Sequence, residues 1–405
     1  MHFSQIFIAS TALYSLALAQ PVTLIDDIKG KATFTLNQIL NTNATAKPPA
    51  QKLLNVYAKY AKAGASAPTA VRKAAASAMA SGSVANKPEP SDTMYLCPVT
   101  VGGKTLNLDF DTGSSDLWVY SSLQPSAQRS GHDYYSPNNA NLMSGQSWNI
   151  VYGDGTGASG KVYADKVIVG SVTATSQAVE AATSVSSGLT SQQDSDGILG
   201  LAMSSLNTVS PNKQTTFFDT VRPHLAKQVF TADLKHGAPG SYGFGYIDNT
   251  KYTGSITYVN LNSNNGFWQF NAGGYAIGSG AKVSKTISCV ADTGTTLMLL
   301  PSDVVSAYYA QVKGATYSSY ESAWIFPCNA AMPTFNAVIG GNKFAVPGSY
   351  INFANLGNNW CYGGMQNDTG IGFCILGDIF MKSQFVVFSQ MSSTPQLGFA
   401  AKNLS

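Results

Sequence analysis

The sequence predicts a mainly β protein of two homologous, β-barrel-like lobes with a cleft between them, and three observations carry that reading. Short strand-like runs rich in Val, Tyr, Phe, Ser and Thr recur through most of the 405 residues, broken by Gly, Asn and Ser, while only 11% of residues are charged; runs of this kind bounded by turn residues read as strands. The triplet Asp-Thr-Gly occurs twice, at Asp111-Thr112-Gly113 and at Asp292-Thr293-Gly294, each after an apolar run. An apolar-apolar-Gly element then starts at Ile198, 87 residues after Asp111, and at Ile375, 83 residues after Asp292. That is an internal duplication, and it implies two similar lobes that each offer one aspartate to the cleft.

The length suffices for two domains with large cores. Helical signals are few, at residues 215–227 and 302–313. Residues 1–19 end a short apolar segment with Ala17-Leu18-Ala19, which reads as a secretory signal. A membrane anchor is the other reading, but the apolar stretch is short for a span. The C-terminus lacks the hydrophobic tail of a lipid-anchored form. Residues 20–80 differ in kind from the rest. They are rich in Ala and Lys and carry eight Lys or Arg against Asp26 and Asp27, a balance of +6 in a chain of net +3, which leaves the body at −3. A basic segment ahead of an acidic body reads as an intramolecular partner, a propeptide, rather than a solvated linker. The expected organisation is therefore 1–19 signal, 20–80 propeptide, 81–265 first lobe and 266–405 second lobe.

Each triplet needs its residue types. Two carboxylates held together share one proton, because like charges at contact distance resist joint ionisation. One is then a base and the other an acid, as hydrolysis of a peptide by water requires. Gly113 and Gly294 allow the tight turn and let N–H groups reach the carboxylate. The hydroxyls of Ser114 and Thr295 can donate to the outer carboxyl oxygens, and those of Thr112 and Thr293 can reach the opposite lobe. A single copy would suit a plain Asx turn; two copies in matched contexts point to catalysis. Between them, Tyr152-Gly153-Asp154-Gly155 follows an apolar strand. It reads as a hairpin tip, either an ordinary exposed one or a lid whose aromatic caps a bound peptide.

The other chemistry classes find little support. His2, His132, His224 and His236 are scattered, and no metal spacing is present. No phosphate-binding glycine motif and no basic-aromatic patch points to nucleotides or nucleic acid, and no cofactor is implied. Export permits disulfides. Of five cysteines, Cys328 and Cys361 sit in loop-like contexts and are the best candidate pair. Cys97, Cys289 and Cys374 lie in apolar runs and read as small buried hydrophobes. Three glycosylation sequons start at Asn43, Asn367 and Asn403.

Residues 92–401 resemble the pepsin-family aspartic endopeptidases of the secreted fungal type. The resemblance is carried by PVTVGG, LDFDTGSSDLWV, YGDGTGASG, SDGILGLA, ADTGTT, ILGDIFMKSQFVVF and QLGFA. It implies a bilobal pepsin-like fold, a monomer without cofactor, and peptide substrates cut between large apolar residues. By that resemblance Asp111 and Asp292 match the catalytic pair and Ser114 and Thr295 their supports. Tyr152 matches the flap tyrosine and Trp118 its partner, while Gly153 and Asp154 match the flap positions that hold substrate. Gly113, Gly294 and Thr296 match the far side of the cleft, and Leu189 and Ile198 the pocket wall. Cys328 and Cys361 match the disulfide common in the fungal members, and Lys59-Tyr60 resembles the Lys-Tyr pair of pepsin-type zymogens. Asp154 at the lid tip adds the expectation that Lys before the cut is tolerated. Two other functions stand beside this one: an inactive pepsin-like binding protein, and a structural cell-wall protein, which would need a Ser/Thr-rich stalk or anchor.

Overall fold

The computed structural model describes residues 23–24, 31–39, 48–80, 95–151, 157–190, 195–262 and 265–404. Strands dominate, in four sheets among these residues. The eight-stranded sheet belongs to the first lobe apart from Thr23–Leu24 at its edge, and the seven-stranded and four-stranded sheets belong to the second. The six-stranded sheet is shared. Val229–Asp233, Ser241–Phe244 and Thr253–Asn260 come from the first half, Gln384–Ser389 and Gln396–Ala401 from the second, and Phe34–Asn37 from the leader.

The duplication is visible in how each aspartate strand is held. Lys104–Asp111 runs parallel to Gly197–Gly200, with Asp111 opposite Gly200, and Leu117–Val119 returns antiparallel to the same short strand. In the second lobe Val283–Ala291 runs parallel to Cys374–Leu376, and Met298–Leu300 returns antiparallel to it. Each Asp-Thr-Gly turn is thus carried between two strands that share a third. The turn is fixed by backbone pairing on both sides and not by its own residues alone.

Under the two turns the shared sheet is paved with aromatics. Phe230 stacks on Phe388 at 4.5 Å and Trp268 meets Phe388 edge-on at 5.1 Å. Trp268 also donates its indole N–H to Leu201 O at 2.8 Å, which satisfies a polar group inside the core. Phe34 of the leader stacks on Phe244 at 4.7 Å. The leader strand was not expected from a Lys- and Ala-rich segment. Its alternation is nevertheless clear, with Phe34 and Leu36 buried and Thr35 and Asn37 exposed, and it pairs antiparallel with Ser241–Phe244.

The leader also forms helices Pro49–Lys59 and Thr69–Ala80. Both helical signals of the body are real but shorter than expected. The first is Phe217–Val221 followed by a 3-10 turn at Arg222–His224, because Pro223 cannot continue an α-helix. The second is Ser302–Tyr309. Among the described residues no helix is long and apolar enough to cross a membrane.

Cys328 and Cys361 are joined, with an S–S distance of 2.00 Å and Cα atoms 5.0 Å apart. The expectation for Cys289 and Cys374 needs correction. They form a second disulfide rather than lying as separate apolar side chains. They stand opposite each other in the parallel pair that carries Asp292, a register no local context reveals. Cys97 is the free thiol; burial, and then the Asp109 charge, push its pKa well up.

Candidate active site

The two triplets meet. Gly113 N–H donates to Asp111 Oδ1 at 2.8 Å, and Gly294 N–H donates to Asp292 Oδ1 at 2.9 Å. The Ser114 and Thr295 hydroxyls donate to the Oδ2 atoms of Asp111 and Asp292. Neither glycine tolerates a side chain. A Cβ on Gly113 would lie 2.6 Å from Asp292 Oδ1, and one on Gly294 would lie 2.3 Å from Asp111 Oδ1. Each turn therefore presses its bare backbone against the other's carboxylate.

The threonines lace the two turns together. Thr112 Oγ1 donates to Ala291 O at 2.9 Å and accepts from Thr293 N–H at 3.0 Å. Thr293 Oγ1 donates to Phe110 O at 2.6 Å and accepts from Thr112 N–H at 3.2 Å. Both threonines are buried. These four bonds cross the lobe boundary in a dry environment, where leaving any one unmade costs about 1–3 kcal/mol.

Between the carboxylates sits a leader residue. Lys59 Nζ lies 2.6 Å from Asp111 Oδ1, 2.7 Å from Asp292 Oδ1 and 2.9 Å from Asp292 Oδ2. Tyr60 donates its hydroxyl to Asp292 Oδ2 at 2.8 Å. Burial alone would lower the Lys59 pKa, but the two carboxylates outweigh it and hold the ammonium above its ordinary value. Burial also drives both aspartates towards the protonated form. At Asp292 the Lys59 charge and the hydroxyls of Thr295 and Tyr60 prevail, and the carboxyl is held below its usual value. At Asp111 burial and the Asp292 charge prevail over Lys59, and the carboxyl is raised. The pair is asymmetric in charge although nearly symmetric in structure.

The model of the eukaryotic aspartyl protease family matches residues 94–402. This chain belongs to that family. Penicillopepsin-3 of Penicillium janthinellum is 52% identical over 402 residues, 98% of this chain and 99% of that protein. Aspergillopepsin-1 of Aspergillus oryzae is 50% identical over 396 residues, 98% of each chain. The chain is accordingly an aspartic endopeptidase of the pepsin family.

The remaining site residues of the aspartyl protease fall into three groups. Trp118 is buried, stacked on Trp148 at 6.0 Å and packed with Tyr120 at 5.7 Å, and its indole N–H has no partner among the described residues. Ile198 is half-buried beside it, paired across the strands with both Trp118 and Asp109. Thr296 is half-buried after the second turn, its carbonyl accepting Ile379 N–H at 3.1 Å. Leu189 is placed only by its backbone, in the helical turn Ser187–Thr190. Tyr152, Gly153 and Asp154 lie outside the described residues.

Two further residues join the site that sequence reasoning did not single out. The Tyr60 ring is fully buried with Phe267 and Phe373 each 5.2 Å away, which marks an aromatic recess beside Asp292. Phe373 immediately precedes the strand Cys374–Leu376, so the duplicated apolar-apolar-Gly element pointed near it. Phe267 had no such signal. Among the described residues no cluster of His, Cys, Asp or Glu is arranged to hold a metal ion.

Proposed function

We propose that the chain is the precursor of a secreted acid endopeptidase that uses Asp111 and Asp292 to activate one water molecule. A single observation carries this reading: one nitrogen, Lys59 Nζ, lies within 2.7 Å of the inner oxygen of both carboxylates. Once the leader leaves, a water of similar size fits the same point. The ionised aspartate takes a proton from that water as it attacks the scissile carbonyl. The protonated aspartate donates to the carbonyl oxygen, and the tetrahedral intermediate collapses as the leaving amine is protonated. No covalent intermediate forms. Sharing of one proton by such a dyad is the pattern already described for aspartic proteases.

Residues 20–80 act as the inhibitory propeptide. Lys59 and Tyr60 fill the catalytic centre, and other described parts of the leader are anchored on the body. Tyr57 donates to Thr369 O at 2.7 Å, Ser66 N–H donates to Gly370 O at 2.7 Å, and Phe34–Asn37 completes the shared sheet. Acid protonates the carboxylates and removes the attraction for Lys59. Cleavage falls near Ala80 or Ser81, at the end of helix Thr69–Ala80. N-terminal sequencing of the secreted protein tests this; a start before residue 65 or beyond residue 95 refutes it.

Large apolar residues flank the cut. The recess of Phe267 and Phe373, occupied by Tyr60, supports that preference on one side, and Leu189 and Ile198 are assigned to the wall of the other. Trp118 supports the flap, from which Tyr152, Gly153 and Asp154 hold the substrate. Asp154 pairs with a Lys before the cut while the lysine stem lies on apolar surface. Digestion of haemoglobin or casein at about pH 4, with and without pepstatin, tests the reaction class. Absence of pepstatin-sensitive cleavage would leave only the inactive, binding form of the fold.

A further inference from the structure

Glu180 and Asp116 form a second pair of carboxyls, buried in the first lobe behind the turn of Asp111. One amide joins them. Asn207 Nδ2 donates to Asp116 Oδ1 at 3.0 Å, to Glu180 Oε1 at 2.8 Å and to Ser115 O at 3.3 Å, so two hydrogens serve three acceptors. Thr208 N–H adds one bond to Asp116 Oδ1 at 2.7 Å. Glu180 Oε2 is buried, and no N–H or O–H of the described residues reaches it. The Asp116 carboxyl lies within hydrogen-bond reach of Glu180. Two carboxyls bond each other only when one of them carries a proton. Two full negative charges here would leave buried acceptors without donors, at a high cost in a dry site.

The charges around the pair do not replace that proton. Trp118 and Val162 stand opposite Glu180 on the neighbouring strands. Lys161 and Lys166, on the strand of Val162, are exposed. Lys213 donates to Ser205 O, while Asp219 takes the Ser204 hydroxyl and faces Arg222. Lys62 of the leader draws both carboxyls towards ionisation, but burial outweighs it and raises both. In the precursor reading Lys62 also departs with the leader.

Backbone connects this pair to the dyad. Asp116 stands two residues after Ser114, whose hydroxyl donates to Asp111 Oδ2. Gly200 N–H donates to Asp116 O at 2.9 Å, and Ala202 N–H donates to Ser114 O at 2.8 Å. A Cβ on Gly200 would lie 2.6 Å from Ser115 Cα, so the segment from Ser114 to Asp116 packs directly on bare backbone. We propose that Glu180 is a positioning residue for catalysis: sharing one proton with Asp116, it holds that segment in place and keeps the Ser114 hydroxyl on Asp111. Loss of the proton drives the two carboxyls apart and withdraws the hydroxyl. Groups that favour the protonated form when folded give their support in acid and lose it as pH rises. The pair thus sets a second upper limit to the acid range, separate from the dyad's own. This inference rests on the endopeptidase reading.

The test follows kcat of the processed enzyme on one fluorogenic peptide as pH rises, in wild type, Glu180→Gln and Asp116→Asn. Discharge of the dyad alone costs about tenfold in kcat per pH unit, and discharge of the pair as well makes the wild-type fall about a hundredfold per unit. Each variant replaces one acid by a neutral amide that still hydrogen-bonds, and should return the fall to about tenfold per unit. The difference should lie in kcat rather than KM, because Asp111 and not the substrate is displaced, and it should reverse at once on return to acid. Infrared difference spectra over the same range should show a protonated carboxyl discharging in wild type and missing from Glu180→Gln. If Glu180→Gln does not fold, Asp116→Asn decides, since either amide removes one of the two ionisations. A wild-type fall of only about tenfold per unit, a hundredfold fall that persists in either variant, or a loss that does not reverse in acid overturns the inference. If the peptide is not cut at any pH, the endopeptidase reading fails and the inference with it. If it is cut and only the dyad's discharge shapes the fall, the inference alone fails.

Discussion

Behind the turn of Asp111 the first lobe places a proton-bearing network, whereas behind the turn of Asp292 the second lobe places a covalent link. In the first, Asn207 Nδ2 donates to Asp116 Oδ1 at 3.0 Å and to Glu180 Oε1 at 2.8 Å, and Thr208 N–H donates to Asp116 at 2.7 Å. Both carboxyls are buried, and burial raises both. Three residues before Asp292 and Gly377, the second lobe joins Cys289 to Cys374. The positions three residues before Asp111 and Gly200 are Leu108 and Gly197. No cysteine fits at Gly197, where φ is +146° and a Cβ would lie 2.2 Å from Trp118 O. One architecture thus braces the same turn by two kinds of chemistry. The first brace answers to pH and the second to reducing agents.

The largest expected effect tests whether the two turns are equal where they look equal. Asp111→Asn and Asp292→Asn should each lower kcat by about ten-thousandfold, since neither half of an acid–base pair works alone. Steady-state kinetics on one peptide decides it, and a variant retaining more than about a hundredth of the activity breaks the symmetry.

Breaking the covalent brace comes next. Cys289→Ser combined with Cys374→Ser should lose about 3 kcal/mol of stability, seen as a lower Tm by calorimetry. Reductant should lower the wild-type Tm and leave that of the double variant less changed, because Cys328–Cys361 remains in it. Equal sensitivity of the two proteins would mean that the second lobe does not depend on this link.

Lys59→Met removes the cation that lies between the paired aspartates. Asp292 is held below its ordinary value by Lys59 and its hydroxyl partners, so the docking they provide is present above that ordinary value and lost as pH falls through the depressed one. Removing the cation should let the full chain convert at a pH about one unit higher, followed by gel electrophoresis of pH-jumped samples. An unchanged conversion profile would place the acid trigger elsewhere in the leader.

The smallest effect belongs to the first lobe's network. Glu180 is held well above its ordinary value of 4.5, first by burial and then by the Asp116 charge. Its stabilising contribution is complete below that value and is lost as pH rises towards the folded one. Glu180→Gln should keep the bond to Asn207 and recover on the order of 1 kcal/mol at neutral pH, with little change in acid. Melting curves taken across the acid-to-neutral range read this directly. A variant whose Tm falls with pH as steeply as wild type would remove the network from the comparison.

Much of the site was legible in the sequence because it is local and duplicated. Asp111 through Ser114 and Asp292 through Thr295 each place a carboxylate, a bare backbone and a hydroxyl within four residues, so the supporting bonds follow from the turn. The leader lysine was legible by resemblance and by the segment's charge. The leader strand at Phe34 was missed because composition outweighed a four-residue alternation. The recess of Phe267 and Phe373 was missed because residues so far apart in sequence become neighbours only when the second lobe closes on itself.

The sequence alone determined the fold class, the duplication and the pair of aspartates, since turn chemistry and strand periodicity act over a few residues. Tertiary structure decided the rest. Cys289 meets Cys374 only through the register of parallel strands 85 residues apart. Asn207 meets two carboxyls only through packing between distant segments. Such contacts depend on loop closures that no short window of sequence encodes, and they set how the shared turn is braced, charged and tuned.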